Sequence, residues 1–335
     1  LEEVTIDAGT TVRVGSNREL LLSGTISNNG RIYLDNTASY TGAAMLSLAT
    51  DVALTGAGIL ELYDDASGSY AGTRAPGGHV LTNATGHMIR NTGGDNYITA
   101  DLVNHGTIEA TGGNGYLRSP TGINEGTIQG NGGRMWLDSG TWTNNAVMQA
   151  LSGHLRINTT LANNTSLDVA GGTVEFHEGA HVIGGHLSGT SGRFETSSKG
   201  GLLEDVTIDA GTTVRVGSNR KLLVGGTITN NGRLYLNDNT ANYNSELALA
   251  GDVELTGTGL LELNDKSSGA RVTTSDGGVL TNAAGHKIRN TDGSSYVYPD
   301  LVNYGTIEAL GGDGYLRSPT GINEGTIQGN GGRMW

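Results

Sequence analysis

Leu102-Val103-Asn104-His105-Gly106-Thr107-Ile108-Glu109 returns as Gly122-Ile123-Asn124-Glu125-Gly126-Thr127-Ile128-Gln129. The offset, 124 − 104 = 20 residues, is the length of one coil in a stacked repeat. Within each copy apolar residues (Val103 and Ile108; Ile123 and Ile128) are separated by polar ones, and a Gly/Asn turn leads to a second apolar run, Met135-Trp136-Leu137. The simplest expectation is two short half-buried strands per coil.

Other stretches fit the same template of an aliphatic residue, a turn, and a closing apolar pair. Ile26 with Ile32 and Leu34 fits, as do Val147 with Leu155 and Ile157, Leu167 with Val174 and Phe176, Leu187 with Phe194, and Ile208 with Val214 and Val216. One stacked column of Ile26, Ile108, Ile128, Val147, Leu167, Leu187 and Ile208 is therefore expected, in an all-β parallel β-solenoid whose coils rise by the strand spacing of about 4.8 Å. Helical signals are nearly absent, the best being Ala43 to Ala49 beside Gly42.

A longer period lies over the coils. Val4 to Arg18 returns letter for letter as Val206 to Arg220, and Gly115 to Trp136 returns unchanged as Gly314 to Trp335. These offsets divide the chain into a first repeat unit, 1–202, and a second, incomplete unit, 203–335, in one continuous solenoid. Neither end carries a legible polar cap, so the terminal coils are expected to meet further copies of the repeat, in the same chain or end to end. Residues 35–79 depart from the template (Asp35 to Tyr40, Ala43 to Ala49, Asp64 to Ser69) and read as coils lengthened toward roughly 30 residues, with loops bulging from one face. Their counterparts at 236–277, including Asn237 to Asn239 and Asp265 to Ser268, are where the two units diverge most.

Composition agrees with thin stacked layers. Fifty-six Gly beside two Phe, three Trp and no Cys suit aliphatic stacks with Gly and Asn at the corners better than a bulky core. A net charge of −13 argues against nucleic acid, whose binding rests on clustered Lys and Arg. No apolar run reaches the length of a membrane span and no basic n-region opens the chain, so neither a span nor a signal peptide is expected.

Several motifs invite chemistry. His177-Glu178-Gly179-Ala180-His181 is a literal H-E-x-x-H, with Gly184 placed as in the longer zinc-protease pattern. That chemistry needs a helix to put both histidines on one face. Here Gly179 interrupts, Thr173 to Phe176 alternates as a strand, and the third histidine, His186, falls one place early, so a corner between coils is the better reading. Gly112-Gly113-Asn114-Gly115 and Gly130-Asn131-Gly132-Gly133 match no phosphate-loop pattern and read as turns. Asp35, Asp64, Asp65 and Asp238 lack the regular succession of a calcium solenoid. Thr25, Thr107 and Thr127 form at most one column, short of an ice-binding array. No catalytic, cofactor-binding or metal residue is therefore assigned, and no cofactor is expected.

The Asn-x-Gly-Thr-Ile phrase (Asn104 to Ile108, Asn124 to Ile128), with Gly24-Thr25-Ile26-Ser27-Asn28-Asn29-Gly30, resembles the right-handed β-helix of filamentous-haemagglutinin-like exoproteins and autotransporter passenger domains. That resemblance implies a single-stranded right-handed parallel β-helix in a secreted or surface-displayed fibre, extracellular or on the cell surface, serving adhesion, biofilm or cell contact. Cell-surface glycans are then a further partner class. The competing expectation is a polysaccharide lyase or hydrolase on the same fold, and a hydrolase would need acidic residues paired across a groove.

Overall fold

The computed structural model describes residues 1–37, 42–65, 69–189, 191–197, 199–238, 243–265 and 269–335. They fall into two compact units, Leu1–Val174 and Glu175–Trp335. Each is a parallel β-solenoid with turns about 21 residues apart, and no helix occurs among the described residues.

One coil contains three strands rather than two. Asp101–Asn104, Thr107–Ala110 and Asn114–Leu117 lie on successive faces, and each pairs in parallel with its counterpart in the next coil, Thr121–Asn124, Thr127–Gly130 and Arg134–Leu137. The additional corner falls at His105-Gly106, inside the phrase that reads as a single strand. Gly106 permits it because the turn packs directly on the coil below: a Cβ there would stand 2.3 Å from the His87 carbonyl oxygen, and one on Gly126 would stand 2.2 Å from the Gly106 carbonyl oxygen. A side chain at either place would force neighbouring coils apart.

Alternation of inward and outward residues then makes columns. In the first unit Val12, Ile32, Leu60, Ile89, Ile108, Ile128, Met148 and Leu167 stack in register. The expected single column thus needs two corrections. Val147 pairs with Thr127 and is 40% exposed, and Met148 takes the core place; a one-residue slip in matching Ala146-Val147 to Gly126-Thr127-Ile128 reverses the face. Ile26 is buried on a different face, in register with Leu54 and, through it, Asn83. Leu187 and Ile208 stack on each other in the second unit as expected, and Ile208 is followed by Asn230.

The lengthened coils are present: Arg31 pairs with Ile59 and Ile59 with Met88, offsets of 59 − 31 = 28 and 88 − 59 = 29 residues. Much of their extra length is strand, not bulging loop. Arg18–Asn28 and Ala44–Thr55 pair over nearly their whole length, with a register shift between Leu22 and Gly24. Ala43 to Ala49 is accordingly mostly strand. The loop expectations at 38–41, 66–68, 239–242 and 266–268 lie outside the described residues.

Two glycines face the core with opposite consequences. Gly122 lies over Trp142, and an added Cβ would come within 2.4 Å of the indole; at Gly115 it would meet Asn91 and Met135 at 3.4 Å, ordinary contact. Neither needs a positive φ. Gly115→Ala is expected to raise the unfolding free energy by about 0.5–1 kcal/mol, chiefly by restricting the unfolded chain, whereas Gly122→Ala lowers it by about 1–3 kcal/mol through overpacking. Urea denaturation of both variants checks the pair, and equal shifts would contradict this packing.

Candidate functional site

The most extended polar feature is buried. Asn83, Asn104, Asn124, Asn144 and Asn163 occupy one inward column, each at most 1% exposed. Each amide nitrogen donates to the next Asn Oδ1, at 2.7, 2.8, 2.8 and 2.9 Å in order. The same nitrogens also donate to carbonyls of the following coil, Thr107, Thr127, Val147 and Ser166, at 3.0–3.3 Å. Asparagine suits the place because one side chain supplies both donor and acceptor along the axis. The second unit repeats the arrangement, with Asn282 donating to Asn303 at 2.7 Å and Asn303 to Asn323 at 2.6 Å.

A buried histidine joins each ladder to the lengthened coils. His87 lies between Asn83 Oδ1, 2.7 Å from its Nδ1, and Asn28 Nδ2, 3.0 Å from its Nε2. An amide nitrogen only donates, so Nε2 accepts and the proton sits on Nδ1. A charged imidazolium would aim an N–H at the Asn28 amide. Burial pushes His87 down from 6.5 to about 4. His286 repeats this between Asn282 and Asn230, at 2.7 and 3.1 Å, and is likewise pushed to about 4 by burial.

On the outer surface the side chains are engaged with one another. Tyr97, Tyr116 and Trp136 stack at centroid distances of 4.9 and 5.6 Å, with the Arg118 guanidinium 4.4 Å from the Tyr97 centroid. In the second unit Tyr296, Tyr315 and Trp335 stack at 5.1 and 6.5 Å, with Arg317 4.9 Å from the Tyr296 centroid. Tyr116 and Tyr315 thus hold equivalent places. Because each ring face meets a neighbouring ring, the interior of the stack presents edges, not faces, to solvent. A second row runs Arg90, Glu109, Gln129 and Gln149. Burial raises the Glu109 pKa, but hydrogen bonds from Gln129, Arg90 and Asn131 outweigh it and hold the carboxyl below its ordinary value.

The H-E-x-x-H residues form a corner. Ala180 N–H donates to the His177 carbonyl at 2.9 Å, closing a turn, and His181 begins the strand His181–Ile183. His181 meets Glu204 at 2.6 Å, His186 meets Asp209 at 2.8 Å, and Glu178 meets Lys199 at 2.9 Å. Among the described residues no three His, Asp or Glu side chains converge as metal ligands. Of the acidic loop residues, Asp35 is held by Arg13 at 2.5 Å, Asp64 accepts from Asn36 at 2.9 Å, and Asp238 is described only as backbone. Thr107 and Thr127 are in register, whereas Thr25 pairs with Ala53 on another face. The glycine-rich stretches are corners, with Gly113 at φ 59° and Gly132 at φ 92°.

Sequence reasoning missed both ladders and the histidine link, although their signal is visible: Asn recurs near every 20th position, and Gly86-His87 returns as Gly285-His286 before Ile-Arg-Asn-Thr. One open cleft, of about 620 Å³, lies in the second unit at the corner bearing Lys199, Arg220, Lys221 and Tyr243.

These features define the class, a parallel β-solenoid with internal duplication, stacked through polar and aromatic ladders. Set against known protein families, curated proteins and solved structures, the chain matches none of them. Among the described residues no helix is long and apolar enough to cross a membrane.

Proposed function

We propose that this chain is a non-enzymatic structural or adhesive repeat segment of a fibre displayed outside the cell. The observation that carries the reading is what the duplication preserves. Gly115 to Trp136 and Gly314 to Trp335 are identical, and the block holds groups that join one coil to the next: Tyr116 and Tyr315 in the aromatic stacks, Asn124 and Asn323 in the ladders, Gly126 and Gly325 under the corners. Copying a coil stack extends reach and multiplies any binding face, whereas a catalytic centre gains little from it.

The resemblance of the Asn-x-Gly-Thr-Ile coils to filamentous-haemagglutinin-like exoproteins and autotransporter passengers points the same way and motivates an extracellular or surface location. Further copies of the repeat are the natural partners of such a scaffold. Electron microscopy of native material is expected to show fibres, and incubation with a panel of polysaccharides is expected to leave them intact. Compact particles together with release of oligosaccharides would overturn the proposal in favour of a carbohydrate-active enzyme.

A further inference from the structure

The two copies are identical from Val4/Val206 to Arg18/Arg220 and part at the next residue, where Glu19 becomes Lys221. The cleft of the second unit opens at that point. Its wall is assembled from successive coils at one corner: Glu178 and Lys199, then Asn219, Arg220 and Lys221, then Tyr243, Asn244 and Glu246. Arg18 pairs with Ala44 and Arg220 with Ser245, so two residues earlier Gly42 stands where the second copy has Tyr243. In the first copy a Cβ on Gly42 would lie 2.8 Å from the Asn17 Cβ, so the place that the tyrosine takes in the second copy has no room for a side chain. In the second copy a tyrosine, 52% exposed, stands beside the cleft instead.

The charge there is unbalanced by one. Glu178 pairs with Lys199 at 2.9 Å and Glu246 with Lys221 at 3.2 Å, and Glu246 also accepts from Thr273 Oγ1 at 2.7 Å. Arg220 donates through Nη1 to the neutral Thr196 carbonyl, and among the described residues no carboxylate pairs with it. The bond to Thr196 anchors the guanidinium while leaving its charge uncompensated, so a carboxylate can be taken up by a charge-assisted pair. Tyr243 differs from the ladder aromatics in having no ring contact among the described residues, and its faces are not occupied by a stack. The Asn219 and Asn244 side chains add amide donors and acceptors at the same rim.

We infer that this cleft binds a glycan end carrying a single carboxylate, with Arg220 taking the carboxylate, Tyr243 packing against the apolar face of the sugar ring, and Asn219 and Asn244 meeting its hydroxyls. One unpaired cation calls for one negative charge, and the net charge of −13 opposes a long polyanion. The inference deepens the adhesive side of the proposed function and rests on it for the source of the glycan.

The test is titration of the 335-residue chain with sialyllactose and, in parallel, lactose, followed by protein NMR or calorimetry. Saturable binding of sialyllactose but not of lactose is expected. Arg220→Gln and, separately, the exposed Tyr243→Ala should each weaken it by roughly tenfold or more, and Arg18→Gln, the same residue in the first copy, where Gly42 replaces the tyrosine, should leave it unchanged. Circular dichroism verifies that the variants retain their β structure. Absence of saturable binding, equal binding of lactose, or undiminished binding in both Arg220→Gln and Tyr243→Ala would overturn the inference. Fibres in the microscope with no saccharide binding would sink this site while leaving the scaffold reading intact.

Discussion

Replacing Asn124 with alanine lowers the unfolding free energy by about 3–5 kcal/mol, read as a drop in the urea midpoint. In the native chain Asn124 donates to Asn144 Oδ1 and the Val147 carbonyl, and accepts from Asn104 Nδ2. Alanine removes these three bonds, and with them the longer one that Asn124 Oδ1 accepts from the Gly126 N–H at 3.3 Å, at a position fully shielded from water. Each buried partner left unsatisfied costs about 1–3 kcal/mol, and the vacated volume adds a smaller cavity cost. The contrast is Asn164, whose amide donates to Asn145 Oδ1 at 2.8 Å in an exposed pair; Asn164→Ala should stay within about 0.5 kcal/mol of the parent. If both variants lost the same amount, the ladder would contribute no more than a surface contact. Apolar residues are tolerated in this column, since Ile26 and Leu54 occupy it above Asn83. What the column does not tolerate is a gap between two asparagines.

Acidification from pH 7 to pH 4 costs on the order of 3 kcal/mol for each of His87 and His286. The unfolded chain takes up the proton near 6.5 and the folded chain only near 4. Between those values the unfolded state binds more protons, so stability is full above about 6.5, falls as pH drops, and loses nothing more from these groups below about 4. Each displaced pKa unit corresponds to about 1.4 kcal/mol. Glu109 and Glu308, whose carboxyls are held below their ordinary 4.5, lose their contribution in a lower window, as pH falls below the unfolded value and through the folded one. Urea midpoints at pH 7.5, 6.0 and 4.5 separate the windows, and the double variant His87→Gln, His286→Gln should flatten the upper one. An NMR titration gives an independent reading: the two buried rings should show no titration above about pH 5. Midpoints as steep in the double variant as in the parent, with both rings titrating near 6.5, would refute the arrangement.

The repeat, the parallel β-solenoid and the buried character of Ile108, Ile128, Leu167, Leu187 and Ile208 were all legible in the sequence, because Gly-Thr-Ile at one-coil spacing fixes which residues coincide when coils stack. Strict identity of Gly115 to Trp136 with Gly314 to Trp335 likewise determined that Tyr116 and Tyr315 share a setting. Which face a residue joins was left to tertiary structure. The corner at His105-Gly106 and the one-residue slip at Val147 follow from how closely one turn settles on the turn below, a distance between segments that no local pattern encodes. The same holds for the polar interior. An asparagine in a Gly-rich stretch suits a turn by propensity, and only the coincidence of Asn83, Asn104, Asn124, Asn144 and Asn163 along one axis converts five turn-like residues into a ladder. The open corner beside Arg220 was equally hidden, since the difference between Gly42 and Tyr243 acquires meaning only when the coil above Asn17 or Asn219 is in place.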